Sequence, residues 1–139
     1  MALDVGDKWI GVAISDETGL VSQPLPAIAN QGERAVEEIL SLSQAWQVKE
    51  IVVGLPLSLN NTVGPQAEKS LALVEALRTR FSGAVRTWDE RLTTRWAERL
   101  LIAQSVRRQR RKKLVDGLAA ALLLQNYLDY LQSQNPKER

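Results

Sequence analysis

The chain reads as one α/β domain, a mixed five-stranded sheet with helices on both faces, and three observations predict it. Apolar, β-branched residues are interrupted by turn residues through the first 29 positions, the pattern of short paired strands. Ile51-Val52-Val53 is a continuous apolar run, which suits a strand covered on both faces. Between and after these segments, apolar residues recur at helical spacing. The length of 139 residues, with 45% hydrophobic and 24% charged residues, is that of one domain spanning 1–139 with a packed core.

Taken in order, Ala2-Leu3 begins a short first strand and Asp4-Val5-Gly6-Asp7-Lys8 leads into Trp9-Ile10-Gly11-Val12-Ala13-Ile14-Ser15, so a hairpin is expected. Asp16-Glu17-Thr18-Gly19 is a turn. Gln23 to Ile28 suits an edge strand, where Pro24 and Pro26 lose no ladder bonds. Asn30, with Glu33 three residues on, reads as a capping box, and Ala35, Val36, Ile39, Leu40 and Leu42 follow at helical spacing. Glu50 to Gly54 is the core strand, and Leu55 to Gly64 a loop. Pro65 is placed at the first position of a second helix whose inner face holds Ala67, Leu71, Val74 and Leu77. Ala84 to Asp89 is the fifth strand. Thr93 or Thr94 caps a third helix, Val106 to Lys113 is a basic connection, and a final helix runs from about Leu114 to Leu131, with Leu118, Leu122 and Leu123 inward. Residues 133–139 read as a polar tail. An antiparallel meander followed by crossovers makes the first strand central and puts the strand ending at Asp89 parallel nearby.

Composition removes most hydrolase designs. The sequence has no cysteine and no histidine, which excludes thiolate catalysis, cysteine-ligated zinc and imidazole acid-base chemistry. Hydrolysis would have to run on carboxylates, lysine, hydroxyls or metal-activated water. No apolar run approaches the ~20 residues of a membrane span. The first residues lack the basic and apolar regions of a signal peptide, so a cytoplasmic location without membrane contact is the expectation.

Net charge is only +2, but it is unevenly spread. Positions 86–113 hold ten basic residues against three acidic ones, a net of +7, whereas the first 85 hold six basic against ten acidic. Such asymmetry suggests a polyanionic partner, the alternative being a solvated charged surface. The run Arg107, Arg108, Arg110, Arg111, Lys112 and Lys113 is the expected backbone-binding element, which Arg91 and Arg95 extend. Cations at a helix N-terminus oppose its dipole, so stability alone would not select them there, whereas phosphate binding would. Trp9, Trp46, Trp88 and Trp96 are read as core rather than as base-stacking platforms.

Acidic residues border the most apolar segments at Asp4, at Asp89-Glu90 and at Asp116. Carboxylates there are costly to desolvate, so they are either neutralised by partners or used to hold a cation. Lys8, in the turn beside Asp4, is read either as a phosphate contact or as a plain turn lysine. Gly6 is expected to allow an unusual backbone angle or a close substrate approach. Gly54, Pro56, Asn60 and Thr62 form a loop at a strand's carboxyl end, where α/β sheets bind ligands.

Asp4-Val5-Gly6-Asp7-Lys8-Trp9-Ile10-Gly11-Val12-Ala13, Gly54-Leu55-Pro56-Leu57, Asp89-Glu90-Arg91-Leu92-Thr93-Thr94 and Asp116-Gly117-Leu118-Ala119-Ala120 resemble, in this order, the motifs of the YqgF/RuvX family. These are RNase H-like proteins related to the RuvC junction resolvases. The family is associated with Holliday junction resolution and with maturation of the 5′ end of pre-16S rRNA. The resemblance covers almost the whole chain. It departs at Asn60-Asn61-Thr62, where the family usually has Asp-Gly-Thr, and in having only three residues before Asp4.

The resemblance implies metal-dependent hydrolysis of phosphodiester bonds with Mg²⁺ or Mn²⁺, two ions in all. Asp4 would bridge them and Glu90 and Asp116 would be terminal ligands. Asp89 is the alternative ligand, or a supporting residue paired with Arg91 or a backbone amide. The implied partner is structured precursor RNA or branched DNA, with the protein a monomer or a homodimer. Two rivals remain. The Asp4-Val5-Gly6 start also resembles the phosphate-binding strand of actin-like and sugar-kinase-like ATPases, which need two such domains. A non-catalytic RNA-binding or ribosome-assembly module would use the same basic surface without the acids.

Overall fold

The computed structural model describes residues 1–56, 63–89 and 108–134, and over 108–116 it describes the helical backbone. The elements are β1 (Ala2–Val5), β2 (Trp9–Ser15), β3 (Ser22–Ala29), α1 (Glu33–Ala45), β4 (Glu50–Leu55), α2 (Pro65–Arg78), β5 (Ala84–Asp89) and α3 (Arg108–Gln134). The expected third helix near Thr93 lies outside the described residues.

The five strands form one sheet in the order β3-β2-β1-β4-β5. The short hairpin connections make β1–β2 and β2–β3 antiparallel, and the two helical crossovers make β1–β4 and β4–β5 parallel. The first strand is therefore central, as the element order predicts. β3 is an edge strand, so its two prolines cost no ladder bond on the outer side. Pro26 and Ala27 bulge opposite Gly11, where the β2–β3 register shifts.

Strand alternation sorts the core into two layers. Leu3, Val5, Ile10, Val12, Ile51, Val53 and Val85 pack against α1 and α2. Ala2, Ala13 and Val52 pack against Ala120, Leu123, Leu124 and Tyr127 of α3, with Trp88 at the margin. Continuous apolar sequence in β4 follows from this: Ile51 and Val53 serve one layer, Val52 the other.

Several local expectations change. Helix α1 begins at Glu33 behind Gly32, which has φ +59° and makes no side-chain cap. Asn30 does not cap the helix, because its amide Nδ2 donates to the Gly6 carbonyl (2.7 Å) and its backbone N–H to that of Lys8 (2.9 Å). In α2 the inner stripe is Ala67, Ser70, Leu73, Val74 and Leu77, with Leu71 half-buried; the helix is rotated so that Leu73 meets the sheet. Leu118 and Leu122 are half-buried, and Leu123 is the buried one of the three. The segment from Arg108 to Lys113 is helix rather than connection, since arginine, lysine and glutamine are strong helix formers and no breaker precedes Leu114. Trp9 and Trp46 are exposed rather than core, while Trp88 is half-buried with its ring edge-on to Tyr127 at 5.3 Å. Among the described residues no helix is long and apolar enough to cross a membrane.

Candidate active site

The carboxyl ends of β1, β4 and β5 lie at one edge of the sheet, because these strands are mutually parallel. Leu3 is level with Val53, and Val53 with Thr87. One residue further along, Asp4 is level with Gly54 and Trp88, and on its antiparallel side it pairs with Gly11. Asp4 alternates with Leu3 and Val5, so it belongs to the α3 face, which Ala2, Val52 and Trp88 share. It is half-buried on the central strand, with a glycine on each flanking strand. Neither of these two flanking positions carries a side chain, which leaves room on both sides of Asp4 along the sheet.

Asp89 falls on the other face. It is level with Leu55 and shares the alternation of Val85, which packs against α1 and α2, and it is exposed. Asp4 and Asp89 are therefore not brought together on one surface. Glu90 lies outside the described residues.

Helix α3 is anchored at the far end of the sheet. The Ser22 hydroxyl donates to the Ala121 carbonyl (2.6 Å), and the Ser22 N–H donates to Gln125 Oε1 (3.1 Å). The Tyr127 hydroxyl donates to Glu50, which also pairs with Arg86 at 2.8 Å. Burial first, and then Glu50, push the Tyr127 hydroxyl up to about 12. From these anchors the helix extends back past Gly117, which faces Pro24. The helical backbone at position 116 stands one turn before Ala120. The expected triad is thus represented by one described carboxylate, Asp4, and one backbone position, 116. Among the described residues no three acidic side chains gather. Oxygen donors without nitrogen or sulfur suit Mg²⁺ or Mn²⁺, and the half-buried carboxylate of Asp4 is a donor of that kind.

The turn beside Asp4 is tightly tied. Gly6 N–H donates to the Trp9 carbonyl at 2.8 Å. Asp7 pairs with Lys69 of α2 at 2.7 Å. Lys8 is exposed and makes no ion pair with a described residue. Among the described residues the glycines with positive φ are Gly19 and Gly32, so Gly6 does not take up the unusual backbone angle that was one expectation for it. Trp9 shares the α3 face with Gly11 and Asp4 and is 38% exposed. Gly54 is buried and Pro56 half-buried where β4 ends. Asn60, Thr62, Arg91, Arg95 and Arg107 lie outside the described residues, and Arg108, Arg110, Arg111, Lys112 and Lys113 occupy the first turns of α3.

Sequence reasoning gave Asn30 a helix cap and gave Lys69 and Gly11 no part near Asp4, and the structure places all three beside the strand or turn that carries it. Gly11 carried a usable signal, a lone glycine inside an apolar strand, which marks a bulge or a close approach. Asn30 and Lys69 act only through partners distant in sequence.

The chain is matched over residues 1–130 by the family model described as RuvX: Holliday junction resolvase. It is 47% identical over 131 residues to a Clostridioides difficile protein named "Putative pre-16S rRNA nuclease", covering 94% of this chain and 93% of that one. A protein of the same name from Thermoanaerobacter pseudethanolicus is also 47% identical, over 93% and 94% of the two chains. Among solved structures, Thermus thermophilus RuvC in complex with Holliday junction substrate superposes with a TM-score of 0.52 at 15% identity, over 95% of this chain and 92% of that one. The last likeness is one of fold.

Proposed function

The chain belongs to the RuvX family, with an RNase H-like, RuvC-like fold, and from that premise we propose that it is a metal-dependent endonuclease acting on the 5′ end of pre-16S rRNA. The observation that carries the reading is the position of Asp4. It is a half-buried carboxylate at the open edge of the central strand, between two glycines, in a chain without histidine or cysteine. The substrate class follows from the names of the relatives.

In this reading Asp4, Glu90 and Asp116 hold two Mg²⁺ or Mn²⁺ ions. Asp89 lies on the face away from Asp4, which leaves Glu90 as the preferred ligand of the pair. When bound, the ions supply a nucleophile at neutral pH and neutralise charge on the leaving oxygen. The chain's own residues do the rest. Gly11 and Gly54 leave the space in which a phosphate reaches the carboxylates. Lys8 and the cations from Arg107 to Lys113, with Arg91 and Arg95, bind phosphates on either side of the scissile one. The half-buried setting limits the freedom of Asp4 and so holds it in one geometry.

A four-way DNA junction is the second substrate, favoured by the family's description. Cleavage of a pre-16S 5′ fragment and of a four-way junction, side by side with Mn²⁺, separates the two. Asp4→Asn should lose cleavage of whichever is cut and retain binding. Undiminished cleavage by Asp4→Asn would remove Asp4 from the catalytic machinery, and binding without cleavage by the wild type would leave the RNA-binding module.

A further inference from the structure

We infer that Asn30, assisted by Lys69, is a positioning residue that holds the Gly6–Lys8 turn as a phosphate-contacting lip beside Asp4. The inference rests on the nuclease reading above and deepens it. Asn30 grips both ends of the turn: its side-chain amide donates to the Gly6 carbonyl at 2.7 Å and its backbone N–H to the Lys8 carbonyl at 2.9 Å. Lys69 reaches from α2 to Asp7 at 2.7 Å.

The two tethers do different things. Asn30 fixes the backbone two residues beyond Asp4, so Lys8 is presented from a set position and not from a loose turn. Lys69 deals with charge. The turn has one acid and one base side by side, and toward a phosphate they would cancel. Pairing Asp7 with Lys69 leaves Lys8 as the uncompensated cation of the lip. Both members of that pair are more than half exposed (51% and 71%), so it adds little to stability, and its consequence lies in which charge the turn offers. Asn30 likewise forgoes the helix cap that its sequence position suggests, and Gly32 takes that place without a side-chain bond.

The test measures RNA binding across salt concentration in the Asp4→Asn background, and cleavage with Mn²⁺ in the wild-type background. Lys8→Ala should weaken binding about threefold to tenfold and make the log K against log salt slope shallower by about 0.7, one phosphate on a single strand. Asn30→Asp keeps the shape but removes the donor. It should reproduce the weaker binding, the shallower slope and a raised KM with little change in kcat. Combined with Lys8→Ala it should do no further harm. A merely structural Asn30 would instead lower Tm, leave the slope unchanged and add to Lys8→Ala, which would overturn the inference.

Lys69→Met, on the helix surface, gives a variant that does not disturb the turn backbone. It should weaken binding, and adding Asp7→Asn should restore it; no weakening, or no restoration, counts against the inference. If the wild type cleaves in an Asp4-dependent way while Lys8→Ala and Asn30→Asp keep wild-type affinity and slope, the inference fails alone. If the wild type neither binds nor cuts either nucleic acid, the nuclease reading fails with it.

Discussion

Gly83→Ala should destabilise the protein by about 1–2.5 kcal/mol, because the new methyl group has nowhere to go. A Cβ at Gly83 would lie 2.1 Å from the Lys49 carbonyl oxygen, 2.7 Å from the Phe81 ring and 3.0 Å from the Lys49 carbonyl carbon. The ring can turn aside. The carbonyl cannot, since Lys49 is the backbone immediately before β4, and β4 and β5 are already paired from Glu50↔Ala84 onward. Relief requires the start of β5 to shift away from β4. Overpacking costs about 1–3 kcal/mol, and a 2.1 Å approach to a carbonyl that cannot move belongs in the upper half of that range, about 2–3 kcal/mol, of which alanine's stiffer unfolded chain returns about 0.4–1 kcal/mol. Urea unfolding measures the difference as a lower midpoint at unchanged slope, with a fall in Tm of roughly 3–10 °C for a domain of this size. Gly64→Ala is the control. Nothing lies within 4 Å of its Cβ, so it should stay within about 0.5 kcal/mol of wild type. A Gly83→Ala protein as stable as wild type would refute the reasoning and mean that the β4–β5 junction yields freely.

Three further outcomes are expected. Asp4→Asn should bind nucleic acid with near wild-type affinity while losing Mn²⁺-dependent cleavage by at least about a hundredfold, several kcal/mol of transition-state stabilisation, as a single-turnover assay would read. Replacing Arg110, Arg111, Lys112 and Lys113 together with glutamine should flatten the salt dependence of RNA binding by about 0.7 for each phosphate no longer neutralised, and an unchanged slope would detach the start of α3 from the interface. Asp16 is held below its ordinary carboxyl range by the Thr18 hydroxyl first and then by the backbone N–H groups of Val21, Leu20 and Gly19. A depressed folded pKa contributes stability that is present above the unfolded value of 3.8 and lost as pH falls through the folded one. The stability gap between wild type and Asp16→Asn should therefore narrow in acid below about pH 4, and a gap constant from about pH 7 to 2 would contradict this.

The strand order was legible because chain geometry leaves few alternatives. Turns as short as Gly6–Lys8 force antiparallel neighbours, and helical crossovers return the chain parallel to its start. Local patterns were less dependable where a side chain had a better partner elsewhere. Asn30 fits a capping box, yet its amide bonds to Gly6, 24 residues earlier. Leu71 fits a helical stripe, but the sheet meets Leu73 instead. Arg108 to Lys113 reads as a basic connection ahead of Leu114, and helix propensity carries the helix back through it. Trp9 and Trp46 follow hydrophobicity inward on paper, and their places at the start of a strand and the end of a helix leave them in solvent.

By itself, then, the sequence determined the family and the kinds of chemistry that are excluded. Without histidine or cysteine, hydrolysis is left to carboxylates, lysine, hydroxyls or metal-activated water, and the ordered motifs at Asp4, Gly54, Asp89-Glu90 and Asp116 carry the family resemblance. Only the tertiary structure decided which groups face one another. Strand register turned Asp4 toward α3 and Asp89 toward the opposite layer. Packing of α2 and the end of β3 against the first hairpin brought Lys69 and Asn30 to the turn beside Asp4. Composition and spacing act locally along the chain, whereas the face a residue occupies depends on pairing and packing between segments tens of residues apart.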